Sequence, residues 1–339
     1  MAAATGGAQE TPTPFGATVE VRRIVTEVRV VGFDGSPVLG LGPEDFKVKV
    51  GGDLVEVESV LWIPTTAEAA AESAAQFTAG TIEEHPPRQP EGRLIVILFQ
   101  VDFGLRFSRT VGLVRMAPRA SEFVTSLGPA DKVAVLVFGS HLQLRADFTD
   151  DLDAVAEMVT TLEVLRGKME PPKPADPSLA ESFDIEEGKD AASMARALEL
   201  IGEALQTIPG TKSLVFFGYG LGQMSAGHRV TIDDGYRKAM EALSAARTSV
   251  FSLDVTDADY HSLAVGLRAV AEDTGGFYVK THLFPDLAMT RLVDVISSYY
   301  ELSIIPPPDL KDEYTIKVSV DRPKIDVYVR QDHASSAVW

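Results

Sequence analysis

The 339-residue sequence predicts an α/β domain built on a mostly parallel sheet with helices on both faces, carried between β-rich flanks. Three observations predict it. Short apolar runs without alternation (Leu-Ile-Val-Ile-Leu-Phe at 94–99, Val-Ala-Val-Leu-Val-Phe at 133–138, Leu-Val-Phe-Phe at 214–217, Val-Phe-Ser-Leu at 250–253) have the length and character of strands buried on both faces. Helical patterns separate them, near residues 109–127, 151–165, 190–207, 235–247 and 260–274. Before and after this region the apolar period falls to two, the mark of half-buried strands.

Residues 1–16 are small, polar and Pro-containing, a leader predicted to be disordered because it cannot bury enough apolar surface to order itself. From 17 to 63, Val-Glu-Val-Arg at 19–22, Val-Arg-Val-Val at 28–31, Phe-Lys-Val-Lys-Val at 46–50 and Val-Glu-Val-Glu-Ser-Val at 55–60 predict half-buried strands. Asp34-Gly35-Ser36-Pro37 and Gly51-Gly52-Asp53 supply turns between them. Residues 64–92, an Ala/Glu stretch followed by a Pro-rich, charged one, read as an interdomain linker, and 93–300 as the α/β domain. Within it, the alternating run at 142–148 is expected as an antiparallel edge strand. Residues 301–332 return to period two, with strands from Tyr314 and from Ile325 joined by Asp321-Arg322-Pro323-Lys324. Too few to stand alone, they are expected to pack with the N-terminal strands in one small β-sandwich, leaving 333–339 as a tail.

Composition narrows the function classes. With 49 acidic against 31 basic residues and a formal charge of −18, the chain lacks the cationic surface that sequence-independent binding to nucleic acid or anionic lipid requires; a charge-steered partner would be cationic or neutral. The absence of cysteine excludes disulfides, thiolate nucleophiles and Cys-ligated zinc. No window approaches eighteen uncharged apolar residues, so no membrane span is predicted. The first residues have neither the basic head nor the apolar middle of a signal peptide, although a polar Ala/Gly/Thr/Pro leader of this kind often follows signal cleavage.

The central region resembles a von Willebrand factor A domain, and more narrowly the acidobacterial von Willebrand factor A-related family. The landmarks that carry the resemblance occur in order. Arg-Leu-Ile-Val-Ile-Leu-Phe from 93 resembles the first strand, and Leu-Gly-Pro-Ala-Asp-Lys-Val-Ala from 127 the approach to the second. Asp-Phe-Thr-Asp-Asp from 147, Gly-Thr-Lys-Ser-Leu-Val-Phe-Phe from 210 and Ala-Glu-Asp-Thr-Gly-Gly-Phe-Tyr from 271 follow. The flanks match too, through Gly-Ser-Pro-Val-Leu-Gly-Leu-Gly-Pro-Glu-Asp-Phe from 35 and Tyr-Tyr-Glu-Leu-Ser-Ile from 299. The resemblance spans roughly residues 17–330 and implies a Rossmann-like sheet that binds ligands at its carboxyl edge, and an exported protein.

Such domains hold a metal ion there through Asp-x-Ser-x-Ser, a Thr and a Ser-Asp-Gly turn, all oxygen ligands for a hard cation. This sequence departs at each. Gln100-Val101-Asp102-Phe103-Gly104 replaces the first motif, Asp190 stands where the Thr would, and Gly218-Tyr219-Gly220 replaces the Ser-Asp-Gly turn with a phenol that is neutral at pH 7. The resemblance therefore implies a degenerate adhesion site with no standard metal and no cofactor. A non-standard magnesium or calcium site from Gln100, Asp102 and Asp190 is the sharper reading; solvated loop acids, with Asp190 capping a helix that starts at Ala191, is the plainer one.

Other motifs are weaker. Gly218-Tyr219-Gly220-Leu221-Gly222 evokes a dinucleotide turn but follows a late strand and has Gln223 where the last glycine would be. Asp254, Asp257 and Asp259 are expected on the same edge as Asp102, as capping and solvated acids. Residues 167–189 read as an insertion, disordered by default. The six histidines, His85, His141, His228, His261, His282 and His333, are scattered, and Ser140-His141 lies in a predicted turn where neighbouring side chains need not meet.

The expected function is a non-enzymatic protein-binding module using its carboxyl-edge loops, with Phe103, Leu105, Phe107 and Tyr219 as anchors. Alternatives are a scaffold protein whose A domain has lost ligand binding, cation-dependent binding, and, last, an enzyme using Asp102 and Asp190 as an acid/base pair. An exposed aromatic patch at the edge would favour the first.

Overall fold

The computed structural model describes residues 23–77, 92–101, 107–161, 169–224, 230–232, 235–311 and 314–330. In chain order, β1 (Ile24–Gly32), β2 (Phe46–Val50), β3 (Asp53–Val55), β4 (Val57–Pro64) and α1 (Ala67–Phe77) come first. The central region runs β5 (Leu94–Gln100), α2 (Phe107–Thr125), β6 (Lys132–Phe138), β7 (Leu142–Thr149), α3 (Leu152–Thr160), α4 (Ile185–Asp190), α5 (Met194–Gln206) and β8 (Lys212–Gly218). It continues through β9 (Gln223–Met224), β10 (Val230–Thr231), α6 (Tyr236–Ala245), β11 (Thr248–Asp254), α7 (Ala264–Asp273), β12 (Tyr278–Lys280) and α8 (Pro285–Val295). Strands β13 (Ser298–Ile304), β14 (Ile316–Val320) and β15 (Ile325–Val329) follow.

The fold is mixed α/β. Its six-stranded sheet has the order β12-β11-β8-β5-β6-β7, parallel except for β7, which pairs antiparallel with β6 at one edge as its alternating pattern predicts. The continuous apolar runs follow from burial on both faces, because successive side chains point to opposite sides of a strand. Ile95, Ile97 and Phe99 enter a cluster with Leu113 and Met116 of α2, Val155 and Val159 of α3, and Leu292 of α8. Val96 and Leu98 enter the other, with Leu198 and Ile201 of α5, Leu243 of α6 and Leu267 of α7. Helices α2, α3 and α8 therefore cover one face and α5, α6 and α7 the other.

The flanking strands build two antiparallel sheets, β15-β1-β13-β4 and β14-β2-β3, around a third apolar cluster that includes Val28, Phe46, Val48, Tyr300, Leu302 and Ile316. N- and C-terminal strands pair with each other in both: β15 with β1, and β14 with β2. The expected boundary at 300/301 falls inside β13, which belongs wholly to the flanking sheet.

Further expectations are corrected. Strand β1 is not half-buried, since residues 26–31 are buried on both faces. Its polar positions, Glu27 and Arg29, lie against the amino-terminal end of the central sheet: Arg29 donates to Ser249 Oγ at 3.1 Å and Arg247 to Glu27 at 2.6 Å. Polar residues at period two were a false sign of water because charge partners replace it. Second, Asp190 caps no helix; it ends α4, and Ser193 caps α5 by accepting from Arg196 N–H at 3.2 Å. Third, residues 169–189 are ordered. Asp147 fastens them to β7, accepting from Ser178 Oγ and Leu179 N–H, each at 2.6 Å. Residues 67–77 of the expected linker form α1; those from 78 to 91 lie outside the described residues.

Candidate functional site

Parallel pairing brings the carboxyl ends of β5, β8, β11 and β12 to one edge, where Asp254 is in register with Gly218 on one side and Lys280 on the other. The loops leaving these ends carry the chemistry.

Gln100, at the end of β5, is 5% exposed. Its Oε1 accepts from Tyr219 N–H at 2.9 Å and Gly220 N–H at 3.2 Å, while its Nε2 donates to Gly220 C=O at 2.9 Å. An amide suits this place because the loop offers donors and an acceptor together; a carboxylate could satisfy only the donors. The Gly218-Tyr219-Gly220 turn is shaped by contact as well. A Cβ on Gly220 would lie 2.4 Å from the Leu263 side chain, and one on Gly218 would lie 2.7 Å from the Phe216 ring. Tyr219 is partly buried against the central cluster.

The structure thus brings Gln100, Gly218, Tyr219 and Gly220 together. It does not join Asp190 to them by a hydrogen bond or ion pair; Asp190 is exposed at the last turn of α4. Asp102, Phe103, Gly104 and Leu105 lie outside the described residues, as does the side chain of Phe107. Among the described residues, no three His, Asp or Glu side chains converge to hold a metal ion.

The sequence reading missed a cluster beside this turn. Asp254, expected to be solvated, is 1% exposed. Its Oδ2 is bonded to His261 Nε2 and accepts from Tyr278 OH, each at 2.7 Å, and its Oδ1 accepts from Thr256 N–H at 3.0 Å. Burial pushes its carboxyl up, but the bonds from His261 and Tyr278 outweigh burial and leave it below the usual aspartate value. Tyr278 is displaced the other way: burial, then the bond to Asp254, keeps the phenol protonated well above its ordinary range. A signal existed. Asp254 closes an apolar run, where a strand of an open sheet ends, and Tyr278 stands in the Gly-Gly-Phe-Tyr landmark that opens the neighbouring strand. His261 carries no such mark.

Next to it, His282 Nε2 meets Asp259 Oδ1 at 3.0 Å, Lys280 donates to the Asp259 carbonyl, and Arg115 of α2 pairs with Asp257 at 3.0 Å. Helix α2 approaches this loop closely because Gly112 has no side chain; a Cβ there would overlap the Val255 carbonyl at 1.6 Å. The Asp259–His282 bond has a consequence for the surface. It places Tyr260, 78% exposed, beside one partner and Leu283, 64% exposed, beside the other, with Phe284 at 66% and Leu287 at 64% continuing onto α8. Elsewhere, the neighbours Ser140 and His141 do meet, with Oγ and Nδ1 2.9 Å apart, and Gln143 occupies the ring's other nitrogen. The turn folds them together.

No protein-family model matches the chain, and no curated protein matches it in sequence. Solved structures share a partial likeness. A von Willebrand factor type A protein from Catenulispora acidiphila is 9% identical, with 92% of this chain and 73% of that one covered and a TM-score of 0.41. Proximal thread matrix protein 1 from the mussel byssus is 12% identical over 60% of this chain, at a TM-score of 0.40, and this chain spans 47% of its length. BatB from Bacteroides thetaiotaomicron is 13% identical, with 60% of this chain and 99% of that one covered and a TM-score of 0.39.

Proposed function

We propose that the chain is a non-enzymatic protein-binding module of von Willebrand factor A-like build, whose carboxyl edge engages a protein partner without a standard metal ion. The observation that carries this reading is the exposed group Tyr260, Leu283, Phe284 and Leu287, each more than three-fifths exposed, on loops pinned by Asp259–His282 and Asp254–His261 and on the start of α8. Large apolar side chains clustered on a surface mark interaction sites, and aromatic ones dominate interface energetics. A pinned loop also gives up less conformational freedom on binding.

The sequence landmarks agree with the A-like reading in position as well as order: the motif from 93 falls on β5, that from 127 leads into β6, that from 210 leads into β8, and that from 271 joins α7 to β12. The degenerate metal site has a physical counterpart in Gln100, whose amide is already consumed by the turn. Metal-free binding follows if the turn's order comes from that amide rather than from an ion. The anchors expected at 103, 105 and 107 lie outside the residues whose side chains are described, and this group stands beside β12, the edge strand of the sheet.

Photo-crosslinking tests the reading. A photoreactive residue replacing Phe284 should capture a discrete partner from source-cell extract, whereas one replacing Leu54, 70% exposed on β3, should not. Adding Tyr260→Asp and Leu287→Asp should abolish capture at 284. Identical adducts from both positions, or none from either, would overturn the proposal.

A further inference from the structure

At the other edge of the central sheet, β7 pairs with β6 through Val135↔Ala146 and then Leu136↔Leu144, so Arg145 is the additional residue of a β-bulge. Bulges re-aim side chains. Here Arg145 is turned toward a cavity of about 330 Å3 between β7 and α4, walled by Leu142, Leu144, Phe183 and Ile185, with Lys189 also on its lining. Its Nε is buried and has no hydrogen-bond partner among the described residues. Burial holds the guanidinium below its ordinary pKa, and no acidic neighbour among the described residues raises it. Lys189, by contrast, pairs with Glu186 at 2.6 Å, and both ring nitrogens of His141 are engaged.

Local contacts hold the walls together. Gly188 lets α4 sit against β7, since a Cβ there would meet the Leu142 carbonyl and the Phe183 ring at 3.0 Å. Asp184 caps α4 by accepting from Glu186 and Glu187 N–H. A partly buried guanidinium with no countercharge among the described residues is unfavourable. An anion with an apolar body would complete it.

We propose that this cavity binds a small apolar monocarboxylate, its carboxylate on Arg145 and its hydrocarbon against Leu144, Phe183 and Ile185. The volume lies at the small end of ligand pockets, which run from roughly 300 Å3 upward. The site is separate from the carboxyl edge and does not depend on the function proposed there.

Calorimetric titration with octanoate, and with octan-1-ol as the neutral control, tests it. The unaltered chain should bind octanoate at one site and at least tenfold more tightly than octan-1-ol. Arg145→Gln should weaken octanoate at least tenfold without changing octan-1-ol. Ile185→Glu places a carboxylate at a position 62% exposed on the cavity wall and should also weaken octanoate tenfold, so the test survives if Arg145→Gln fails to fold. Equal affinity for acid and alcohol, unchanged octanoate binding in the folded variants, or no binding at millimolar octanoate would overturn the proposal.

Discussion

Gln100 brackets the backbone of Gly220, accepting from its N–H at 3.2 Å and donating to its C=O at 2.9 Å. A third bond, from Tyr219 N–H, completes the amide's role. Gln100→Ala would strand these three backbone groups at a buried position. At about 1 kcal/mol per lost bond, and more where a buried group stays unpaired, it should cost roughly 2–4 kcal/mol in urea unfolding. Gln100→Glu should also destabilise, because it retains the acceptor and sets a carboxylate oxygen against the Gly220 carbonyl. If neither variant lowers the midpoint, the amide does not order the turn.

The same geometry predicts the response to metals. A cation near Gln100 would have to take Oε1 from two N–H groups, so millimolar magnesium, calcium or manganese, added after chelation, should leave the melting temperature unchanged. A site filled at a hundred times its Kd would add about 2.7 kcal/mol, which is several degrees for a domain of this size. A rise of that order, lost in Gln100→Ala, would restore a cation-dependent mechanism.

How much of this was legible in the sequence depends on whether a residue's partner is local. The central strands were legible because burial on both faces leaves an apolar run that nothing else explains, and Gln100 was found because it closes such a run. The partners of Gln100 could also be anticipated as a loop, but not the match of one amide to the backbone donor and acceptor of one residue. His261 and His282 looked like surface residues because their partners, Asp254 and Asp259, depend on how two loops meet. Glu27 and Arg29 misled for a related reason: period two records which positions are polar, and cannot distinguish water from an ion pair 220 residues away.

Asp254 gives a prediction in acid. Its folded carboxyl lies below the usual aspartate value near 4, so the folded chain binds that proton more weakly than the unfolded one. The resulting stability is complete above that value and is lost as pH falls through the folded pKa. Asp254→Asn preserves the shape but not the charge; it should cost about 1–2 kcal/mol at pH 7, and the gap between the two proteins should close below pH 4. Denaturant midpoints from pH 7 to pH 3 would show it. A gap that stays constant with pH would mean that the carboxylate's charge contributes nothing.

Lys212 gives the opposite limb, at the junction between flank and central sheet. It is 2% exposed and donates to the carbonyls of Ile208 and Ala246. Burial, followed by the nearby Arg247 and Arg330, pushes its pKa down to about 8. Between pH 8 and the ordinary lysine value of 10.5, the unfolded chain keeps a proton that the folded chain has released, so stability rises with pH across that window. Relative to Lys212→Met, the unaltered chain should gain about 2 kcal/mol from pH 7.5 to pH 10, since a tenfold difference in proton affinity between the two states is worth about 1.4 kcal/mol. Glu27 is the one carboxylate among the influences that raise this pKa, and it also faces Arg29, Arg247 and Arg330. Glu27→Gln should therefore cost roughly 3–5 kcal/mol at pH 7, as breaking a buried ion pair does, and move the start of the rise below pH 8. A large loss of stability with the rise left at pH 8 would mean that Glu27 holds the arginines alone, and that Lys212 is set by burial.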